Sequence, residues 1–530
     1  MPAETLRPHL PAAPPAAPAG GGAGFKLRLT RANASLAFLL VALALLPFAD
    51  LAIANSDPWA VLGKFAAGFL APDFGAVSGL GQAVLLTLAF AVVGVALGGA
   101  AGFALALVSR HRAARGLATT LRSVHELFWA LLLMQPFGPS ALTGVLAIAL
   151  PYAGIFAKVY GEMLEEADRR PADVLPRGTG TVSAFLYARL PLALAPMKVY
   201  GLYRIECGIR SSAVIGFVGL PTLGFELDSF FRQGQYDAVA AILLTYYLMI
   251  GTIRWWMRAK LLPLYFAAGL AVLLSLDTVS LDWANVARVL TVDIVPAPLR
   301  GADLLAPATW AAFGAWLKIV LVDQAAPGLV ATFVVTQLTL VVMGLVALSG
   351  FALLVRNVVG RIGARAGHGV LVVLRSTPEY MLAYLALQVL GPSMLPAVIA
   401  LGLHNGAIIA HLLGREGERL SHTLRPDAPR GLDLYGYELV PRLYGPFLAY
   451  AFYRWEIVMR ESAIVGILGV ATLGFFIDSA IAEIRLDRAL VLIAVTVLAT
   501  AAIDLVSRRI RARLALGAFG GVEAQRFPAR

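Results

Sequence analysis

The sequence predicts an all-α integral membrane protein of about twelve transmembrane helices, arranged as two parallel repeats about a pseudo-twofold axis. Three observations carry this expectation. Of the 530 residues 59% are hydrophobic and 14% charged, with a mean hydropathy of +0.78, more apolar character than a water-soluble core of this length needs. The stretch from Tyr203 to Asp228, YRIECGIRSSAVIGFVGLPTLGFELD, returns 250 positions later as YRWEIVMRESAIVGILGVATLGFFID, with 13 of 26 positions identical. The matches include Arg204/Arg454, Glu206/Glu456, Arg210/Arg460, Gly216/Gly466, Gly219/Gly469 and Gly224/Gly474, so charges and glycines recur with the apolar residues and the chain reads as a tandem duplication. Finally, the basic residues gather in short clusters between apolar runs, and that pattern repeats in both halves.

Residues 1–32 form an Ala/Pro/Gly-rich segment that reads as a disordered cytoplasmic tail. Lys26, Arg28 and Arg31 precede the apolar run 35–54; the Ala52-Ile53-Ala54 triplet after it resembles a signal-peptidase site, but the run is long enough to stay as a spanning helix. Further runs lie at 83–108, 121–136, 139–160, 191–219 and 236–253 in a first repeat (33–256). In a second repeat (257–510) they lie at 261–275, 329–355, 371–390, 393–413, 443–469 and 488–506, and a basic tail, 511–530, follows. If each run crosses once from a cytoplasmic N-terminus, the arginine clusters of 109–116, 161–189, 254–260, 356–368, 414–442 and the C-terminal tail all fall inside. The long connections 55–81 and 276–328, poor in Lys and Arg, fall outside. Both termini are then cytoplasmic, and an even number of crossings per half inserts both copies the same way up. The formal charge of +11 is thus a topological signal, and no nucleic-acid partner is expected. The single cysteine, Cys207, excludes an internal disulfide and reads as a packing residue.

Runs 121–136 and 371–390 are the weakest spans, because each carries a glutamate. There LRSVHELFWALL is echoed by LRSTPEYMLAYL, with Arg122/Arg375 and Glu126/Glu379 at an offset of 253. An Arg and a Glu four apart share one helix side and can pair, or they can cap the helix at the membrane interface. Tyr203, Glu206 and Arg210 occupy one helix face at i, i+3 and i+7. A charge at a helix centre costs about 2.5 to 3.5 kcal/mol on insertion scales, so this face must meet protein or water. With Arg204 and Ser212, and with Tyr453, Arg454, Glu456, Arg460 and Ser462 of the second copy, it is expected to build a charged ring at the axis. Gly216, Gly219 and Gly224 thin a helix face for a neighbouring backbone and permit a break near Pro221, so that Thr222 to Asp228 shape an outer rim.

The connection ADVLPRGTGTVSAFLYARLP, from Ala172, has Gly178 thirteen residues before Pro191. It resembles the coupling loop of bacterial ABC importer permeases, whose pattern is a Glu-Ala pair, a glycine and a Leu-Pro. Gly178, Leu190 and Pro191 carry the likeness, and Ala172 and Asp173 stand where the Glu-Ala pair is expected. In the second copy, RPDAPRGLDLYGYELVP, Pro441 remains while Ala428 stands at the glycine's place. The pattern Tyr-Arg-x-Glu-x-x-x-Arg-x-Ser-Ala-x-x-Gly-x-x-Gly, with a following Gly-Phe and Asp, resembles the permease subunit of phosphonate ABC importers.

Each half is similar to one whole permease, over about 83–256 and 329–510, and the resemblance implies a type I ABC importer permease fold with two units fused. It implies a bacterial inner-membrane location, two copies of an ABC ATPase subunit, a periplasmic substrate-binding protein, membrane lipid, and phosphonate or a related phosphorus oxyanion as cargo. Arginines at the axis would then offer bidentate contacts to that anion; alternatively the charged faces form a buried ion-pair network that only holds helices together. The chain has no GxxxxGK[ST] phosphate loop, so ATP is hydrolysed by the partner subunit and the chain itself is not an enzyme and binds no cofactor. His125, His404 and His411 lack metal-ligand spacing and read as packing or interface residues. The competing function is an ion-gradient-driven secondary transporter with two six-helix repeats, working through Glu206 and Glu456.

Overall fold

The computed structural model describes residues 30–168, 170–176, 178–276, 282–425, 427–514 and 516, the side chains of Ala172, Asp173, Ala463 and Ile464 excepted. Residues 1–29 of the expected N-terminal tail, and 515 and 517–530 of the C-terminal one, lie outside the described residues. Every regular element among the described residues is helical. Helix α1 (Arg31–Leu45) starts where the Thr30 side chain accepts from the Asn33 N–H, an N-cap. It is followed by α2 (Leu80–Leu107), α3 (Arg112–Ser123), α4 (Glu126–Phe137), α5 (Ala141–Glu166), α6 (Leu190–Val214), α7 (Leu223–Arg232), α8 (Tyr236–Gly251) and α9 (Leu262–Leu274). Then come α10 (Ala326–Phe351), α11 (Arg356–Ser376), α12 (Glu379–Leu390), α13 (Leu395–Thr423), α14 (Val440–Ile467), α15 (Leu473–Ala482) and α16 (Leu486–Arg513).

Helices α2 to α8 and α10 to α16 are the same seven elements twice. Within each set the pivotal contacts recur: the Leu223 N–H donates to Thr87 Oγ1 at 2.9 Å, and the Leu473 N–H to Thr332 Oγ1 at 2.9 Å. Each set is built around its first and fourth helices, α2 on α5 and α10 on α13. In the first pair Gly94, Gly98 and Gly102 of α2 meet Ile148, Ala149, Tyr152 and Phe156, so closely that an added Cβ would lie within 3 Å of them. In the second pair the small residues have moved to the other helix, where Gly402, Gly406 and Gly414 of α13 face Val342, Val346 and Leu354. Close approach of backbones is what a small-residue stripe provides in an apolar environment, and it works from either partner.

The remaining helices cross over between the sets. Helix α1 packs on the second set, with Ser35 Oγ 2.6 Å from Tyr444 Oη and the Phe38 ring edge-on to Trp455 at 4.7 Å. Helix α9, which precedes the second set in sequence, lies on α2 of the first, where Gly269 meets Val93 and Ala89. Each set is therefore clasped by the helix that leads into the other.

Seven helices of the described residues are long and apolar enough to cross a membrane, or eight with α11 and α12 taken as one bent span, against the twelve or so expected. The runs 121–136, 236–253 and 261–275 form helices of 12, 16 and 13 residues, short of the roughly 20 that cross a hydrocarbon core. Helix α14 is 28 residues long but carries Arg454, Glu456, Arg460 and Glu461 in one half. The segment from Pro307, read as part of an outside connection, instead runs continuously into α10 as far as Leu354.

Two local expectations are corrected. Arg122 and Glu126 do not share a helix side: α3 ends at Ser123 and His125 caps α4, its ring accepting from the Leu127 N–H. In the second copy the break between Ser376 and Glu379 bends the chain by 95°. A proline at 378 supplies that break directly. The glycines of the duplicated stretch admit the chain's own return, not a foreign helix. After α6 the chain turns at Gly219, φ +87°, and folds back so tightly that a Cβ on Gly224 would sit 1.7 Å from the Ala213 carbonyl oxygen. Thr222 to Asp228 accordingly opens the short helix α7 packed under α6, with Thr222, Leu223 and Gly224 buried.

Candidate functional site

The two sets meet around one polar cavity of about 760 Å3, its open mouth included, lined by α4 to α6 of the first and α12 to α14 of the second. Eight of the residues expected at the axis line it: Tyr203, Arg204, Arg210, Tyr453, Arg454, Arg460, Glu126 and Glu379. The wall also holds Glu461, His125, His404, Tyr152 and Ser211.

Each arginine is held in place by a neutral group. Arg204 Nε donates to Tyr200 Oη at 2.7 Å, and its guanidinium lies over the Tyr200 and Tyr203 rings at 4.9 and 5.5 Å. Arg454 donates to Asn405 Oδ1 at 2.8 Å. Arg210 and Arg460 reach across to the opposite set and donate to the backbone carbonyls of Arg375, at 3.2 Å, and Arg122, at 2.8 Å. Those carbonyls lie in the last turns of α11 and α3, where helical partners run out. None of the four arginines forms an ion pair within 4.0 Å among the described residues.

The carboxylates are occupied by other groups. Glu126 accepts from Ser211 Oγ at 2.7 Å and lies 3.5 Å from His125 Nε2. Glu379 lies 3.7 Å from His404 Nε2, whose other ring nitrogen is 2.9 Å from the Thr377 carbonyl. Glu461 accepts from Asn405 Nδ2 at 2.8 Å. The wall therefore presents four guanidinium groups whose charge is not cancelled by a contacting carboxylate. Guanidinium groups so placed are able to offer a small anion charge-assisted, forked hydrogen bonds.

Six expected residues lie elsewhere. The hydroxyls of Ser212 and Ser462 donate to the carbonyls of Ile209 and Met459, both at 2.8 Å, and stay inside their own helices. Arg122 leaves the cavity and pairs with Glu456 and, at 3.0 Å, with Asp504; Lys158 Nζ is 3.9 Å from Glu456 and 3.8 Å from Asp504. Arg375 and Glu206, the counterparts of Arg122 and Glu456, are likewise off the lining. Of the expected coupling residues, Gly178 is exposed at φ +101° between short helices, and Leu190 and Pro191 open α6 as Val440 and Pro441 open α14. Asp173 ends the four-residue helix Arg170–Asp173, and its side chain lies outside the described residues.

Sequence reasoning passed over Tyr152, Asn405 and Glu461, and read His125 and His404 as packing or interface residues. A signal existed for some of them: His404 and Asn405 are adjacent polar residues inside an apolar run, and Glu461 stands where the first copy has Ser211. The Tyr152–Ser211 contact at 3.2 Å and the Asn405–Glu461 bond join corresponding positions with different chemistry. The two walls of the cavity are thus alike in layout and unlike in charge.

No protein-family model matches the chain, and no solved structure does. Named relatives do. The phosphite transport system permease protein PtxC of Stutzerimonas stutzeri is 32% identical over 189 residues, covering 34% of this chain and 69% of PtxC. HtxE of the same organism, also described as a phosphite transport system permease protein, is 36% identical over 141 residues, 26% of this chain; the match spans about half of HtxE, 54%. The phosphate-import permease protein PhnE of Mycolicibacterium smegmatis is 26% identical over 468 residues, 82% of this chain and 86% of PhnE, so that alignment runs through both repeats. With its duplicated membrane-helical sets and these relatives, the chain belongs to the permease family of phosphonate- and phosphite-type ABC transport systems.

Proposed function

We propose that the chain is the membrane-spanning permease of an ABC importer, two permease units (33–256 and 257–510) fused in one polypeptide, passing phosphonate or a related phosphorus oxyanion inward. The observation that carries this reading is the cavity between the repeats, where Arg204, Arg210, Arg454 and Arg460 line open space with no carboxylate within 4.0 Å of them among the described residues. A phosphorus oxyanion is small, carries one or two negative charges and offers several acceptor oxygens, which is what four fixed guanidinium groups complement. The carboxylates and histidines between them limit how tightly an anion is held, and a transport path needs weak, transient binding.

In this reading the connections 161–189 and 414–442 face the cytoplasm with both termini, in a bacterial inner membrane. There two ABC ATPase subunits dock and hydrolyse ATP, since the chain has no phosphate loop of its own. Exposed Val174, Val182 and Tyr187 in the first connection, and Leu432 and Tyr437 in the second, give such a partner apolar side chains to cover. A periplasmic binding protein delivers the anion at the opposite end, near α7 and α15. The test is uptake of a radiolabelled phosphonate into vesicles containing the chain, the ATPase and the binding protein. Accumulation that requires ATP inside the ATPase compartment is expected; accumulation that follows an imposed proton gradient without ATP would overturn the reading in favour of a gradient-driven carrier.

A further inference from the structure

The internal duplication defines a second pair of corresponding clusters, beside the cavity on the side of the 161–189 and 414–442 connections. At the offsets of 253 and 250, Arg122, Lys158, Glu162, Glu456 and Asp504 correspond to Arg375, His411, Arg415, Glu206 and Arg254. The first cluster holds two cations and three carboxylates, closed by the ion pairs of Arg122 and Lys158 with Glu456 and Asp504. Two of these carboxylates are replaced by arginine in the second cluster, leaving three arginines and a histidine against Glu206 alone.

The second cluster is assembled from both repeats. Arg254 follows α8, Arg375 and His368 lie on α11, and His411 and Arg415 lie on α13. Electrostatic interaction connects Arg375 with Glu206 and Arg254, Arg415 with Arg254 and Arg375, and His411 with Arg254, Arg375 and Arg415. The His368 and His411 rings lie 5.4 Å apart. No ion pair within 4.0 Å forms among Arg254, Arg375, Arg415 and Glu206 in the described residues. His411 is 4% exposed, and among the described residues neither of its ring nitrogens has a hydrogen-bond partner, nor does the buried Arg375 Nε. Like charges brought together over buried, unsatisfied donors are costly unless an anion completes them. The Arg375 carbonyl, meanwhile, accepts from Arg210 of the cavity wall, so the cluster adjoins the cavity through one residue.

We propose that Arg254, Arg375 and Arg415, with His411 beneath them, form a second anion site for a phosphate-type oxyanion, present on one side of the pseudo-twofold axis only. The site deepens the importer reading and rests on it for its role: an anion leaving the cavity toward the loops meets these arginines next, while the corresponding route on the other side is closed by its own ion pairs. The same chemistry would hold the phosphate of an anionic lipid headgroup, and Trp255, 77% exposed beside Arg254, is a residue type suited to a membrane interface.

The full chain, purified in detergent without added lipid, is titrated calorimetrically with inorganic phosphate. Two phosphates are expected to bind the native protein, and one fewer after Arg254→Asp/Arg415→Glu, which installs the carboxylates the first cluster carries. Arg210→Met/Arg460→Met is expected to lose the other. Arg415→Gln, a single change at an exposed position, must weaken the same step while the melting temperature stays at that of the native chain. If phosphate binds once only, native mass spectrometry from phosphatidylglycerol nanodiscs reads the lipid source, where one retained phosphatidylglycerol lost in Arg254→Asp/Arg415→Glu supports the site. A phosphate isotherm unchanged by both Arg254→Asp/Arg415→Glu and Arg415→Gln, or neither phosphate nor lipid held, overturns it. ATP-driven uptake by the native complex is measured on the same preparation: its absence sinks the importer reading, whereas normal uptake with an unaltered isotherm sinks this proposal alone.

Discussion

Arg460 donates a 2.8 Å hydrogen bond to the backbone carbonyl of Arg122, a residue 338 positions earlier and in the other repeat. Its counterpart, Arg210, does the same to Arg375 at 3.2 Å. The two roles that the sequence leaves open for these arginines, contact with cargo and holding helices together, are therefore not exclusive. One nitrogen of each guanidinium secures the end of a broken helix, and the planar group still borders the cavity. A fork of five donors can serve two acceptors in this way; an ammonium cannot do so with the same fixed geometry.

Arg460→Met is expected to leave the Arg122 carbonyl unpaired and to cost about 1 to 3 kcal/mol of stability, read as a lower melting temperature, and to abolish ATP-driven phosphonate uptake. Arg460→Lys should recover part of the melting temperature but little of the uptake, because one compact charge must serve either carbonyl or anion. A native melting temperature in Arg460→Met would show that the cross-repeat bond carries no structural load.

The turn after α6 makes a sharper demand. A Cβ on Gly224 would stand 1.7 Å from the Ala213 carbonyl oxygen, and one on Gly216 2.2 Å from the Phe225 nitrogen. Both obstacles are backbone, so no rotamer change relieves them. Gly224→Ala should cost at least the 1 to 3 kcal/mol or so typical of overpacking, whereas Gly251→Ala, with nothing within 4 Å, should leave the melting temperature unchanged. Equal melting curves for the two variants would contradict the folded-back turn.

The membrane character, the duplication and most of the cavity's arginines are legible in the sequence because charges inside apolar runs are costly and repeat at a fixed offset. The count of spans is not, since an apolar run does not say whether its helix is continuous. His125 and Pro378 break α3 from α4 and α11 from α12 inside runs that read as single spans. The partners of Arg122 were equally hidden: Glu456 lies 334 and Asp504 382 positions away from it, and the local pattern at Asp504 points instead to Arg508, four residues on. Long-range ion pairs leave no local pattern. The difference between the two copies, at Ser211/Glu461 or Arg254/Asp504, is visible in the sequence but acquires meaning only once the structure shows which positions face one another.

The connection around Gly178 offers a test independent of the cavity. Tyr187 and Tyr437 are 83% and 81% exposed, so replacing them removes little internal packing. Tyr187→Ser with Tyr437→Ser should leave the melting temperature of the chain unchanged and sharply reduce co-purification of the ATPase subunit. Gly178→Glu should also reduce that co-purification, because φ +101° is a conformation that side-chain-bearing residues rarely adopt and the loop must rearrange. Full recovery of the ATPase with all three substitutions would move the docking surface elsewhere.

The last prediction separates two glutamates that the duplication makes equivalent. Glu456 is paired with Arg122 and lies 3.9 Å from Lys158, all three largely buried. Glu206 forms no ion pair within 4.0 Å among the described residues. Breaking a buried pair by removing one charge costs about 3 to 5 kcal/mol, because the other charge is left uncompensated. Asp504, 3.0 Å from Arg122, remains in Glu456→Gln and holds the cost toward the lower end. Glu206→Gln removes a carboxylate that acts on Arg375 and Arg415 over a longer range, an interaction of smaller size. Glu456→Gln is therefore expected to lower the melting temperature by more than Glu206→Gln, although a reading based on repeat symmetry alone would make the two alike. If both variants melt together, the asymmetry between the clusters does not persist in the folded protein, and the route past Glu456 is as open as the route past Glu206.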